Sequence, residues 1–228
     1  MSGRKISTIS CGAAGSKAFT RFLYPDWPAE KLGTRHWHYP RPDLAPAEFD
    51  GFVYLFSDPR NAVLSFFRRR ERKHSNHGFS DAESGRREWP VSNLGWVRRH
   101  LENLGGDKAA LNESWGLEDY LDHCDHDVFG LEAHLDAWLA EREREVLFVR
   151  FETLWTHEAH LRAIVGTSHS KLPAYAPRAA DWRALSPEVQ AKLNARYGDF
   201  AERLEAMPDI YGRFNGRTVT PVGPTLRA

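Results

Sequence analysis

The sequence predicts an α/β fold: a single domain in which a central parallel sheet is flanked by helices. Three observations carry that expectation. A β-branched run at Ile6, Thr8 and Ile9 passes through a small-residue turn into helical spacing. The apolar run GFVYLFS (Gly51 to Ser57) passes through Asp58 and Pro59 into a second helical stripe, and EVLFVRF (Glu145 to Phe151) is followed by HEAHLRAIVG. Short apolar runs alternating with helical periods indicate strands joined by crossover helices, and hence a parallel sheet buried on both faces.

The first unit is TISCGAAGSKAFTRFLY (Thr8 to Tyr24). Gly12, Ala13, Ala14 and Gly15 allow a tight turn and a close approach to a ligand. Lys17, Ala18, Phe19, Phe22 and Leu23 then have helical spacing. A strand, a small-residue turn and a helix start direct backbone N–H groups and a positive dipole end at an anion. The stretch therefore reads as a phosphate cradle.

In the second unit, Asp58 suits a helix cap and Pro59 a first turn, after which Ala62, Val63, Phe66 and Phe67 form an apolar stripe. The chain from His74 to Asp107 is polar, with a helix predicted around Leu94 to Leu104. Leu131, Leu135, Trp138 and Leu139 mark an amphipathic helix. Glu145 to Phe151 reads as a third buried strand, and Gly166 stops the helix after it. Ser186 and Pro187 open a last long helix. The tail from Gly212 carries three glycines and two prolines, so it is expected to be loose or to lie over the surface. The predicted domain is 1–211, with 212–228 as the tail.

Of the 228 residues, 41% are hydrophobic and 27% charged, and Lys+Arg and Asp+Glu both number 31. A chain without net charge gives no reason to expect nucleic acid or an anionic membrane as partner, so any anion site is local. Two cysteines, Cys11 and Cys124, fit a reducing compartment better than a disulfide scaffold. No window approaches the roughly 18 apolar residues of a membrane span, and the N-terminus lacks an apolar signal core. A cytoplasmic protein is expected.

Taken together, four segments resemble the sulfotransferases, enzymes that move a sulfuryl group from PAPS (3′-phosphoadenosine 5′-phosphosulfate) to a hydroxyl or amine. AAGSKAF is similar to the family's P-loop-like 5′-phosphosulfate loop of the form K-G-G-T-R-A, with Gly15 as the central glycine, Ser16 at the first Thr and Lys17 at the Arg. GFVYLFSDPRNAVLSFF is similar to the strand followed by R-D-P-x-D-x-x-x-S, which puts Ser65 where the family binds the 3′-phosphate. HWHYP (His36 to Pro40) is similar to the K-T-H-x-P segment and puts His38 at the base position. LFVRFETLW is similar to the strand and (R/K)-Y-E-D-L segment that supports the nucleotide loop from beneath.

The resemblance implies a cofactor site at Ala14, Gly15, Ser16, Lys17, Ala18, Ser57, Arg60 and Ser65, PAPS as donor with PAP as its product, and no metal requirement. It implies His38 as general base, His36 as the fallback, and a small-molecule or soluble acceptor beneath a lid at 74–115. Trp37, Trp89, Trp96 and Trp115 are candidates for lining that pocket. The sequence departs from the family twice. The loop lysine falls on Ala13 and the arginine opening R-D-P falls on Ser57. Because a charge-assisted bond contributes roughly twice a neutral one, other cations must substitute. Lys17 and Arg60 are the local candidates, with Arg68, Arg69 and Arg70 further along the helix.

Plainer roles stand beside these. Lys17 fits a solvated first-turn residue, Ser65 a helix serine bonded to its own backbone, and Glu152 a structural carboxylate. HCDH (His123 to His126) with His134 lacks a second Cys/His pair at finger-like spacing. Two other functions compete with the transferase. One is a non-catalytic nucleotide-binding module of the same fold, deprived of the lysine and arginine. The other is a P-loop kinase, disfavoured because Gly12 to Lys17 lacks the G-x-x-x-x-G-K-[ST] order.

Overall fold

The computed structural model describes residues 4–12, 14–27, 36–75, 101–112, 115–166, 170–175 and 180–223. The predicted loop position Ala13, most of the predicted lid, the start of its helix near Leu94, Trp89 and Trp96 lie outside the described residues. So do the side chains of His36, Arg69 and Arg70.

Six strands form one sheet: β1 (Ile6–Ser10), β2 (His36–Trp37), β3 (Gly51–Phe56), β4 (Glu145–Arg150), β5 (Ile210–Phe214) and β6 (Arg217–Val222), in the order β2-β1-β3-β4-β5-β6. The helices are α1 (Ser16–Leu23), α2 (Pro59–Ser75), α3 (Leu117–His123), α4 (Leu131–Leu139), α5 (Glu158–Val165) and α6 (Pro187–Ala206). The three predicted strand–turn–helix units are therefore present, at nearly the predicted bounds.

Strand alternation sorts the core into two faces. Phe52, Tyr54, Phe56 and Phe148 point to an aromatic side, where they pack with Phe66 and Phe67 of α2, Trp138 of α4 and Tyr197 of α6. Val53, Leu55, Leu147 and Val149 point to an aliphatic side, where they meet Phe19 and Phe22 of α1 and Leu161 and Val165 of α5. Helices thus cover both faces, which is why β3 and β4 read as apolar runs, while β1 is buried throughout but carries Ser7, Thr8 and Ser10.

The expectation of a parallel sheet needs a correction. Strands β1 to β4 are parallel, whereas β5 and β6 add two antiparallel strands. The expected tail is also not loose, because residues 212–222 build most of this hairpin. Its turn is Asn215-Gly216, with φ of 53° and 71°. That is the backbone a two-residue hairpin with the right twist requires, and Asn-Gly is its commonest pair. Pro221 lies in the outermost strand, where its missing N–H breaks no ladder. Buried Asp209 anchors the hairpin, accepting from Arg150 Nε at 2.7 Å and lying 3.0 Å from His157 Nε2.

Candidate functional site at the carboxyl edge of the sheet

Register decides which loops meet. Ser10 pairs with Leu55 and Phe56 with Arg150, so β1, β3 and β4 end level with one another. The turns that follow them, near residues 11–15, 57–59 and 151–153, lie side by side at the carboxyl edge, the usual place for a ligand in an open α/β sheet. A groove at the opposite edge is lined by Arg4, Asp43, Arg144 and Glu145. There Arg4 is already paired with Glu145 at 2.5 Å, so that groove offers an anion little.

The first turn is built around Gly15, the N-cap of α1, with φ of 66°. A Cβ on Gly15 would stand 2.0 Å from Phe151 Cε2, so only glycine lets the ring support the loop from below. Beneath the loop, Thr20 Oγ1 donates to the Ser16 carbonyl at 2.8 Å and lies 3.0 Å from Thr8 Oγ1. The Ala18 and Phe19 amides both return to the Gly15 carbonyl, at 2.9 and 3.2 Å. The Lys17 amide follows the Gly15 carbonyl too closely to bond to it, and a first-turn amide of that kind is the donor such a turn directs at an anion. Ser16 is buried and Ala14 fully so, whereas the Lys17 side chain is exposed and among the described residues has no ion-pair partner. These predicted positions sit together.

The second turn departs from expectation. Asp58 caps α2 by accepting from the Arg60 amide at 2.9 Å, as predicted. Its carboxylate also takes Arg60 Nε at 2.9 Å, Arg60 Nη2 at 3.0 Å and Trp182 Nε1 at 2.9 Å. Arg60 Nη1 donates to Asn194 Oδ1 of α6 at 2.8 Å, and the guanidinium lies 4.1 Å over the Trp182 ring. Arg60 is therefore committed to a buried ion pair and not displayed as a substitute phosphate ligand. Ser65 takes the plainer of its two expected roles. Its hydroxyl donates to the Asn61 carbonyl one turn back at 2.8 Å, which leaves acceptor lone pairs where an anion needs donors. Ser57 is buried at the mouth of the turn, and the Asp58 amide donates to Glu152 Oε1 at 3.2 Å, tying the second and third turns together.

His38 follows β2 and reaches the same edge. Its Nδ1 lies 2.6 Å from the carbonyl of Ser10, the last residue of β1. A carbonyl only accepts, so Nδ1 carries a proton, and in the neutral ring the lone pair is then on Nε2. That tautomer is the one a base needs, and the Ser10 carbonyl orients the ring as main-chain carbonyls orient other imidazoles. Among the described residues no three His, Cys, Asp or Glu side chains converge to hold a metal.

Sequence reasoning missed His134 as part of this neighbourhood. It is 1% exposed on α4, and its Nδ1 lies 2.8 Å from the hydroxyl of buried Tyr54. Burial first, and the charge of His38 second, push its pKa down to about 3, so the ring is neutral. The available signal was its place on the apolar stripe of LEAHLDAWL, between Leu131 and Trp138. No model of a known protein family matches the chain, nor does any curated protein or solved structure.

Proposed function

We propose that the protein is a PAPS-dependent sulfotransferase acting on a hydroxyl or amine of a small-molecule or soluble acceptor. The observation that carries this reading is the meeting of two features at one edge. They are the glycine turn with its helix start at Gly15–Ala18, and a histidine whose Nδ1–H is bound to the end of the adjacent strand.

The residues fit the 5′ end of such a donor better than its 3′ end. At the 5′ end, the amide of Lys17, the dipole of α1 and the Lys17 ammonium face the place where charge develops on the leaving phosphate. At the 3′ end, Arg60 and Ser65 are engaged within the protein, and the turn relies on Ser57 and the start of α2. Weak PAP affinity is expected.

Transfer itself needs positioning, a base and charge stabilisation. His38 Nε2 takes the proton of the acceptor hydroxyl as the acceptor oxygen bonds to sulfur. The sulfur–oxygen bond to the phosphate breaks, and its electron pair leaves with PAP, where Lys17 offsets the new charge.

A second reading, a nucleotide-binding module without transfer, is favoured by the commitment of Arg60 and Ser65. The kinase reading loses ground, because the Asp58 carboxylate is fully engaged by Arg60 and Trp182 and is not displayed for Mg²⁺. Thermal shifts with PAP and with ATP–Mg²⁺, together with ³⁵S transfer from labelled PAPS to a panel of phenols, alcohols and amines, separate the three. PAP stabilisation with transfer is the expected result. Stabilisation without transfer selects the module, and stabilisation by ATP–Mg²⁺ alone overturns both.

A further inference from the structure

Helix α4 packs its His134 and Trp138, one turn apart, beneath the segment that carries His38. Trp138 is fully buried and its Nε1 donates to the Tyr39 carbonyl at 2.9 Å. His134 lies beside the main chain of His38 and Tyr39, whose carbonyls act on its ring. On its far side it is held by Tyr54, at 2.8 Å through Nδ1. With the phenol donating to Nδ1, the neutral ring carries its proton on Nε2, and that atom is wholly buried with no hydrogen bond of its own. With the His38 and Tyr39 carbonyls acting on the ring but no well-formed hydrogen bond, a buried N–H costs up to about 1–3 kcal/mol. Leucine would pack on this apolar stripe without that cost, so packing alone does not account for a histidine.

We propose that His134, locked by Tyr54, is a positioning residue for His38: with Trp138 it seats the His38–Tyr39 main chain so that His38 keeps its Nδ1–H on Ser10 and presents Nε2 outward. The proposal rests on the reading of His38 as the base. Because His134 is neutral, it adds no charge that would weaken that base. Outer-shell partners that orient an imidazole typically matter by 10–100-fold.

The test compares His134→Leu and His134→Gln in the full chain, reading kcat and KM for transfer and the ¹⁵N signals of His38. In the parent protein His38 is expected to show one tautomer, protonated at Nδ1. The expected result for His134→Leu is a folded protein whose His38 signals average between the two nitrogens. Its kcat falls 10–100-fold while KM for PAPS changes little. His134→Gln, which keeps a donor near the Nε2 position, recovers part of the loss. Should His134→Leu fail to fold, Tyr54→Phe removes the lock alone and is expected to broaden or shift the His38 signals in the same direction. A folded His134→Leu or Tyr54→Phe protein with the parent His38 spectrum overturns the proposal. If the parent protein transfers no sulfuryl group, the sulfotransferase reading fails, and the His38 spectra still decide the positioning role.

Discussion

Phe151 lies directly under Gly15, so close that a methyl group there would be 2.0 Å from Cε2 and 2.4 Å from Cδ2 of the ring. Two penalties follow for Gly15→Ala. The left-handed backbone, with φ of 66°, costs a non-glycine residue roughly 1–2 kcal/mol. Overlap with a packed ring adds roughly 1–3 kcal/mol. Gly15→Ala is expected to lose about 3 kcal/mol in urea denaturation and to weaken PAP binding. Adding Phe151→Leu should return the overlap part of the loss and leave the backbone part. An unchanged midpoint for Gly15→Ala would mean that the loop is not held from beneath as described.

Arg60 and Asp58 pair with side chains only 10% and 14% exposed. Removing one member of a buried pair strands the other charge, which typically costs 3–5 kcal/mol. Arg60→Ala should therefore unfold about 3 kcal/mol more readily. Arg60→Lys should recover little, since an ammonium cannot make the two-pronged bond to Asp58 or stack on Trp182 in the same way. If Arg60 instead serves a 3′-phosphate, the melting temperature without nucleotide will hold and only PAP affinity will fall. Calorimetry with and without PAP separates the two.

The strands and their order of appearance were legible because a sheet covered on both faces writes apolar runs at Gly51–Phe56 and Glu145–Arg150, and the first of these ends at the turn signal Asp58-Pro59. The last hairpin is legible too, by position and not by composition. Glycine and proline counts suggested a loose tail, while Asn215-Gly216 between Phe214 and Arg217 is a hairpin signal that survives those counts. The fate of Arg60 was not legible, since it depends on Trp182 and Asn194, which only the fold brings to Asp58. Likewise nothing local in LEAHLDAWL says that His134 comes to rest beside His38.

His38 and Lys17 have separable tasks under the proposed chemistry. His38→Ala removes the base, which usually contributes 10²–10⁴-fold, so kcat should fall by about that factor while the PAP dissociation constant stays near the parent value. Lys17→Ala removes a charge-assisted donor worth roughly 1.5–3 kcal/mol, and both PAP affinity and rate should fall by about 10–100-fold. Titration calorimetry with PAP and steady-state transfer rates check both. Full turnover in His38→Ala at saturating acceptor would remove it from the mechanism, and unchanged affinity and rate in Lys17→Ala would do the same for the lysine.

His134 makes stability depend on pH between about 3 and its ordinary 6.5, and partly buried Asp127, raised by desolvation, acts with the opposite sign at the acid end. The folded pKa of His134, about 3, lies below the ordinary 6.5, through burial first and the charge of His38 second. Between those values the unfolded chain binds a proton that the folded chain refuses, so stability falls with acidification by about 1.4 kcal/mol per pH unit. By pH 5 the loss is roughly 2 kcal/mol on that slope. Glu141 and Glu145 sit below their ordinary 4.5 despite burial. Main-chain amides of Arg144 and Glu143 and the Arg144 side chain hold Glu141 down, and Arg4 with the Gly216 and Asn215 amides holds Glu145 down. The stability they contribute is lost only as pH drops beneath that range. His126, raised by its bond to Asp125, acts with the opposite sign, but it is exposed and solvent screens it. Urea midpoints measured at pH 7, 6 and 5 should therefore decline in the parent protein, and the decline should be much shallower in His134→Gln, which has nothing to protonate. Parallel declines in the two proteins would mean that some other group carries the acid sensitivity and that His134 is protonated without cost.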